Sequence, residues 1–157
     1  MNEIQSIVTQ LMIVGFDGHA FGDGRISQLL AGGEWGGVIF FDQDYPYFIE
    51  SNQHRPKNII DTEQVTELNH QFKMAFPSLF RSIDVEGGRD WVIGQNGSRE
   101  RFGVNRLKPC YGFSVTQSAA ELGVLYEQGQ HQQVERYCDE IAQQLSDSGF
   151  NLVFAPV

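Results

Sequence analysis

Four short apolar runs, each following a segment with helical periodicity, constrain the fold of this chain most. The runs are residues 11–16, 36–41, 79–84 and 151–157, and the helical segments are residues 4–11, 26–31, 61–76 and 118–145. Apolar runs of this length, bounded by turn residues, are typical of strands buried on both faces. The repeated helix–strand order predicts an α/β fold with parallel strands and outer helices. An open doubly wound sheet and part of an eight-stranded barrel both satisfy this pattern.

The third run leads into the segment 82–89, SIDVEGGR, which carries two carboxylates, a glycine pair and a guanidinium. Asp84 is expected at the carboxyl end of its strand, where α/β proteins bind ligands. Gly87 and Gly88 are expected to turn the backbone sharply. The alternative is a surface turn in which Asp84, Glu86 and Arg89 pair with one another.

The chain of 157 residues is predicted to form one domain, residues 1–157. Residues 42–61 show no periodicity and are predicted to be a long loop. Asp42 and Asp44 in this loop are expected to be solvated rather than to ligate a cation, so no metal is predicted. Residues 90–105 are predicted to form a hairpin or flap that turns at Asn96-Gly97.

Composition narrows the classes of partner. Twenty acidic side chains against 11 Lys and Arg give a formal net charge of −9, which disfavours nucleic acid. No apolar run approaches the length of about 20 residues that spans a bilayer, so no membrane partner is expected.

Cys110 and Cys138 lack metal or redox spacing and are expected to be free thiols. The start lacks the basic residues of a secretory leader, which predicts a cytoplasmic protein unless that start has been trimmed.

Several segments in this order resemble the amino-terminal barrel domain of glycoside hydrolase family 3. The matching segments are residues 36–41 (GGVIFF), 58–59 (NI), 83–89 (IDVEGGR), 106–109 (RLKP), 118–123 (SAAELG) and 154–157 (FAPV). The resemblance implies that the chain is the amino-terminal portion, about four βα units, of a TIM-type (β/α)8 barrel. Residues 36–41 (GGVIFF) and 106–109 (RLKP) resemble the β-N-acetylhexosaminidase branch most.

The resemblance also implies a function. The family hydrolyses terminal β-linked sugars, here β-N-acetylglucosaminides, in carbohydrate metabolism or cell-wall recycling, by a retaining mechanism without a cofactor. Asp84 matches the aspartate that accepts hydrogen bonds from hydroxyls of the substrate sugar. Glu86, Gly87, Gly88 and Arg89 match the segment that supports this site.

The chain departs from the family pattern in several places. Val85 stands where the family usually has Gln, and residues 90–105 are inserted. Arg81 is expected among the outer helices, where it must find a partner or reach solvent. The nucleophile and the acid/base loop of the family lie beyond the FAPV segment, and no histidine here falls in a matching motif. The 157-residue chain is therefore expected to hold no catalytic residue and to be inactive alone.

The sequence is also compatible with other functions. The alternatives are a β-glucosidase of the same family and a carbohydrate-binding or interaction half-barrel without chemistry. An open-sheet nucleotide-binding domain would need a Gly-rich turn directly between a strand and a helix, which the sequence lacks. Half a barrel would leave its first and fourth strands with unpaired edges, so self-association or pairing with the missing barrel half is expected.

Overall fold

A computed structural model describes residues 3–23, 25–53, 55–85, 87, 92–93, 99–100, 106, 111–114 and 117–155. The helices are α1 (Glu3–Gln10), α2 (Arg25–Ala31), α3 (Tyr45–Ser51), α4 (Thr62–Ala75), α5 (Ala119–Glu127) and α6 (His131–Asp147). The strands are β1 (Ile13–Gly15), β2 (Gly37–Phe40), β3 (Phe80–Asp84), β4 (Val92–Ile93), β5 (Arg99–Glu100) and β6 (Leu152–Phe154). Each of the four predicted strands is present, and helices precede each of them.

Four strands form one sheet in the order β1-β2-β3-β6, and every neighbouring pair is parallel. The predicted α/β fold with parallel strands is therefore confirmed. Within the described residues, β1 and β6 each have one hydrogen-bonded neighbour and form the two edges of the sheet. These two strands are the first and fourth of the predicted series.

The hydrophobic core lies on one face of the sheet. Val38, Phe40 and Ile83 point to this face and are 0% exposed. They pack in one cluster with apolar residues of the helices, among them Ile26 of α2 and Phe72 of α4. Aromatic rings in this core pack edge to face, and the ring centroids of Phe16 and Phe40 lie 5.0 Å apart.

The other face of the sheet is not part of this core cluster. It carries the alternate residues of the strands, and we call it the open face: Ile13, Ile39, Phe80, Ser82, Asp84, Leu152 and Phe154. Phe80 is 48% exposed and Phe154 is 37% exposed. Asp84 therefore belongs to the face that the core cluster leaves free.

Arg81 points into the helix-side face and finds partners there, as the sequence requires. Its Nε donates to the carbonyl oxygen of Gly149 at 3.0 Å, and its Nη1 donates to that of Leu79 at 3.1 Å. Burial lowers the pKa of this guanidinium. Two backbone carbonyls at the start of β3 and the end of α6 thus take the place of an ion pair.

The prediction of an unbroken loop over residues 42–61 is wrong, because α3 lies inside it. Asp44 caps this helix by accepting a hydrogen bond from the Tyr47 amide at 3.2 Å, and Pro46 lies in the first turn. Proline is tolerated there because the first turn needs no N–H donor. Asn52 ends the helix in the left-handed region, with φ 55°. Pro46 thus marks the start of a helix in this segment.

Between residues 90 and 105 the structure describes two short strands. β4 and β5 pair antiparallel, with Val92 opposite Glu100 and Ile93 opposite Arg99. This pairing is what the predicted hairpin requires, and its predicted turn at Asn96-Gly97 lies outside the described residues.

Among the described helices, none is long and apolar enough to cross a membrane.

Candidate functional site

Asp84 ends β3 and lies on the open face. Ser82, two residues earlier on the same face, is fully buried and donates its hydroxyl hydrogen to the Val38 carbonyl oxygen at 2.8 Å. The Asp84 side chain retains 26% exposure. The strand therefore places this carboxylate at its carboxyl end, as predicted, with one part open to a ligand.

Arg106, which lies 22 positions further along the chain, pairs with Asp84. Its Nη2 lies 3.5 Å from the Asp84 Oδ2, and its backbone amide donates to the Asp84 carbonyl oxygen at 3.4 Å. The Arg106 side chain is only 8% exposed. Both the backbone and the side chain of Asp84 are thus held by one residue.

Asp42, which follows β2, anchors Arg106. The Nη1 of Arg106 donates to the Oδ1 of Asp42 at 3.1 Å, and the Asp42 side chain is 0% exposed. The expectation that Asp42 and Asp44 are solvated is therefore wrong. A buried carboxylate needs a charged or hydrogen-bonding partner, because its desolvation is otherwise prohibitive, and Arg106 provides that partner.

The three side chains form one cluster, Asp42–Arg106–Asp84, with two carboxylates and one guanidinium. These three side chains together carry a formal charge of −1, from one Arg and two Asp. The buried Asp42 satisfies one side of the guanidinium fork, and the partly exposed Asp84 meets the other. Of the two carboxylates, Asp84 is the accessible one, with 26% exposure against 0% for Asp42.

The Phe41 ring, directly after β2, is approached by two cationic side chains. The guanidinium carbon of Arg106 lies 5.2 Å from its ring centroid, and the Lys57 Nζ lies 5.9 Å from it. Lys57 also pairs with Asp17, which follows β1, at 3.5 Å. Arg25 approaches the other oxygen of Asp17 at 3.4 Å. Charged side chains of both signs thus line the carboxyl end of β1, β2 and β3.

Asn58 ties the ends of β1 and β2 together. It is 0% exposed, its Nδ2 donates to the Phe16 carbonyl oxygen at 2.7 Å, and its Oδ1 accepts from the Phe41 amide at 3.0 Å. A leucine of similar size could not make both hydrogen bonds. The sequence marked Asn58 only as part of a segment resembling the family.

Asp44 is held by a different cation, Arg55. The two form an ion pair, and the Arg55 guanidinium also lies 4.3 Å from the Tyr47 ring centroid. The side-chain hydrogen bond from Arg55, followed by that from the Tyr47 amide, holds the pKa of Asp44 below its ordinary value.

Among the described residues there is no group of three or more His, Cys, Asp or Glu side chains that could hold a metal ion.

Gly87 belongs to the segment predicted to support the site, and its conformation is one that L side chains rarely adopt. Its φ is +73°, and a Cβ at this position would collide with the carbonyl oxygen of Gln117. The chain therefore passes close to the start of α5 here, and glycine is required. The other predicted support residues, Glu86, Gly88 and Arg89, lie outside the described residues.

The described histidines do not join the cluster. His70 and His131 are exposed on α4 and α6, and the His131 ring packs edge-on against Tyr126 with centroids 4.3 Å apart. His19 follows β1, and its backbone amide donates to the Asp23 carboxylate at 3.1 Å. None of the three contacts Asp42, Asp84 or Arg106 in the described hydrogen bonds and ion pairs.

Sequence reasoning missed most of this cluster. Arg106 stood in a run of basic residues and in the RLKP segment, and Asp42 stood in a segment without periodicity. The available signal was the position of Asp42 directly after an apolar strand, the same signal that singled out Asp84. Comparisons of the sequence with protein-family models and with curated proteins found no match.

Proposed function

We propose that the carboxyl end of this sheet binds a sugar, and that the Asp84 carboxylate accepts hydrogen bonds from its hydroxyl groups. One observation supports this proposal most. Asp84 is partly exposed and pairs with Arg106, and Arg106 is held in place by its ion pair with the buried Asp42. An ionised carboxylate offers about four acceptor positions. Arg106 approaches only the Oδ2 side, so positions remain for two hydroxyl donors.

The reaction we propose is the retaining hydrolysis of terminal β-linked sugars, with β-N-acetylglucosaminides as the substrates. The family resemblance of the sequence supports this proposal, and so does the placement of Asp84 at the end of a parallel strand. In this proposal the four-stranded sheet is the amino-terminal portion of an eight-stranded (β/α)8 barrel. Carbohydrate metabolism, including cell-wall recycling, is the corresponding role.

The described residues support sugar binding better than they support bond cleavage. A retaining glycosidase needs two carboxyl groups, or a carboxylate and another acid, about 5–5.5 Å apart on either side of the scissile bond. Asp42 cannot act as the second group, because its carboxylate is 0% exposed and paired with Arg106. The nucleophile and the acid/base must therefore come from groups other than this cluster.

A non-catalytic carbohydrate-binding module is the second candidate. It is favoured by the same fact that Asp42 is sealed from the ligand while Asp84 is accessible. Both candidates predict sugar binding at Asp84, and they differ in whether the natural gene product turns over a substrate. A β-glucosidase of the same family would differ in the preferred sugar.

Sugar binding is tested by NMR titration of the isotope-labelled chain with methyl β-N-acetylglucosaminide and, separately, methyl β-glucoside. We expect shifts of the Asp84, Phe41 and Gly15 amide signals at millimolar ligand, larger for the acetamido sugar. Asp84→Asn should weaken binding at least about tenfold, since a hydrogen bond to a charged group contributes about 1.5–3 kcal/mol.

Asp139→Asn is the matched control, because Asp139 is exposed on α6 and outside the cluster. Its affinity should equal that of the unmodified chain. Absence of any sugar-dependent shift, or equal binding by Asp84→Asn, would show that this end of the sheet is not a sugar site.

A further inference from the structure

We infer that the sugar bound at Asp84 carries a phosphate monoester, and that a group of basic side chains beside the candidate sugar site binds this phosphate. We call this group the cationic cluster: Arg25, Lys57 and Arg55, together with their carboxylate partners Asp17 and Asp44. The inference rests on the sugar site proposed above and names the class of sugar that this site takes, a sugar phosphate.

Two of the three cations share one carboxylate at the end of β1. Asp17 follows this strand, its Oδ1 lies 3.5 Å from the Lys57 Nζ, and its Oδ2 lies 3.4 Å from the Arg25 Nη1. One carboxylate neutralises one cation, so these contacts leave one positive charge in excess. The Arg25 side chain is 82% exposed and is therefore accessible to a ligand.

The Arg55–Asp44 ion pair lies close enough to these contacts to interact with them electrostatically. The pKa of Asp44 is lowered first by Arg55 and more weakly also by the charge of Lys57. The pKa of Arg55 is raised first by Asp44 and more weakly also by the charge of Asp17. Three cations and two carboxylates thus form one cluster with a formal charge of +1.

A positive excess stands out in a chain whose formal net charge is −9. At physiological ionic strength, exposed charges more than about 8 Å apart are largely screened, so a small anion responds mainly to the local excess. Asp23 lies in the loop before Arg25, but its Oδ2 accepts from the amides of His19 and Ala20 at 3.1 Å, and none of the described ion pairs joins it to a cation. A polyanion such as nucleic acid would also meet the acidic remainder of the surface, whereas a single phosphate would not.

Phe41 connects the cationic cluster to the candidate sugar site. The Lys57 Nζ lies 5.9 Å from its ring centroid, and the guanidinium carbon of Arg106, which pairs with Asp84, lies 5.2 Å from the same centroid. A Cβ on Gly15 would lie 3.7 Å from the Phe41 Cε2, so the ring reaches from β2 to the end of β1. A sugar whose hydroxyls bind Asp84 can therefore direct a substituent across this ring toward Lys57.

A phosphate monoester suits three neighbouring cations better than a carboxylate does. It carries a charge of about −1.5 to −2 at pH 7 and three strong acceptor oxygens. Guanidinium groups bind phosphate through two parallel N–H donors, and an ammonium group adds a point charge. The Arg55 guanidinium already lies 4.3 Å from the Tyr47 ring centroid, which reduces the side-chain entropy lost on binding.

NMR titration of the isotope-labelled chain with N-acetylglucosamine and with its 6-phosphate and 1-phosphate esters tests the inference. At least one ester should bind about fivefold more tightly than the uncharged sugar, or better, and should shift the Asp17, Phe41 and Lys57 amide signals more. Added salt should reduce this preference, because it screens exposed charges. Equal or weaker binding of both esters would overturn the inference and leave the sugar site in place. Absence of binding by all three ligands would overturn both proposals.

Single substitutions then locate the phosphate. Lys57→Met and Arg25→Gln should each reduce the preference for the ester at least about twofold, since each removes one cation. Asp84→Asn should weaken the binding of the ester and of the uncharged sugar without reducing the preference. Lys73→Met is the matched control, because Lys73 is exposed on α4 and outside the cluster. A preference that survives Lys57→Met, or that falls equally in Lys73→Met, would contradict phosphate binding by the cationic cluster.

A carboxylate is the competing anion, and its binding is measured in the same way. The probe is 2-acetamido-2-deoxyglucuronic acid, which carries a carboxylate at the position of the 6-phosphate. It should bind less tightly than the preferred ester, because it carries less charge and fewer acceptor oxygens. Equal or tighter binding of this sugar acid would overturn the assignment of a phosphate.

Discussion

Arg106 and Asp42 form an ion pair at 3.1 Å, and both side chains are buried, with 8% and 0% exposure. The pair links the segment after the β4–β5 hairpin to the end of β2, across 64 positions of sequence. Through its second Nη atom, Arg106 also reaches Asp84. The pair therefore connects the stability of this end of the sheet to the position of the candidate ligand-binding carboxylate.

Removing Asp42 should cost stability. Asp42→Asn is expected to lower the free energy of unfolding by about 3 kcal/mol, because a buried Arg106 would lose its fully buried counter-charge. Urea denaturation monitored by circular dichroism measures the change. The double variant Asp42→Leu/Arg106→Met should recover part of the loss, since it removes both charges of the pair. Equal loss in Asp42→Asn and in the exposed-site variant Asp139→Asn would contradict the buried pair.

Three glycine substitutions separate backbone strain from steric collision. Gly129→Ala, at φ +75° with no atom near its Cβ, should cost about 1–2 kcal/mol of unfolding free energy through strain alone. Gly87→Ala, at φ +73°, should cost more, because its Cβ also meets the Gln117 carbonyl oxygen. Thermal and urea unfolding of both variants give the comparison.

Gly123→Ala is the control within this series, since Gly123 lies inside α5 with open space around its Cβ. It should raise stability by about 0.5–1 kcal/mol through the helix propensity of alanine. A Gly87→Ala variant as stable as Gly129→Ala would mean that the approach to Gln117 relaxes without cost.

Acid should remove the stabilising effect of the Asp44–Arg55 pair. The pKa of Asp44 is lower in the folded chain than its ordinary value of 3.8, so the folded state binds fewer protons there than the unfolded state. The contribution is therefore complete above about pH 4 and is lost as the pH falls through the lowered pKa. Asp44→Asn retains a helix cap but loses the ion pair.

The measurement is the difference in unfolding free energy between the unmodified chain and Asp44→Asn, at pH 7 and at successive values below pH 4. The difference should be positive at pH 7 and should shrink on acidification. A difference that is constant across this range would show that Asp44 contributes only through its cap.

The 157-residue chain should not hydrolyse glycosides. Within the cluster, Asp42 is fully buried and paired with Arg106, and the proposed role of Asp84 is to bind the sugar, so the cluster supplies no pair of carboxyl groups to flank a scissile bond. Incubation with an aryl β-N-acetylglucosaminide and an aryl β-glucoside should release no aryl alcohol above the rate in buffer. Steady turnover that Asp84→Asn abolishes would place a complete catalytic set in this chain.

The sequence by itself determined the order of helices and strands, because that order follows from local periodicity. The apolar runs at residues 36–41 and 79–84 have the length and flanking turns of buried parallel strands, and β2 and β3 lie within them. The same local pattern placed Asp84 at a strand end. Among the helices of the described residues, α3 was not predicted, because its seven residues are too few to show a period and Pro46 suggests a loop.

The tertiary structure alone decided which side chains meet at that strand end. Asp42, Asn58 and Arg106 come together because parallel pairing brings the ends of β1, β2 and β3 to one edge, and because the chain after the hairpin returns to it. Neither the register of neighbouring strands nor the path of a long connection leaves a periodic trace in the sequence. The burial of Asp42 follows from this packing, since a buried carboxylate needs a charged or hydrogen-bonding partner, and the fold brings the Arg106 guanidinium to it.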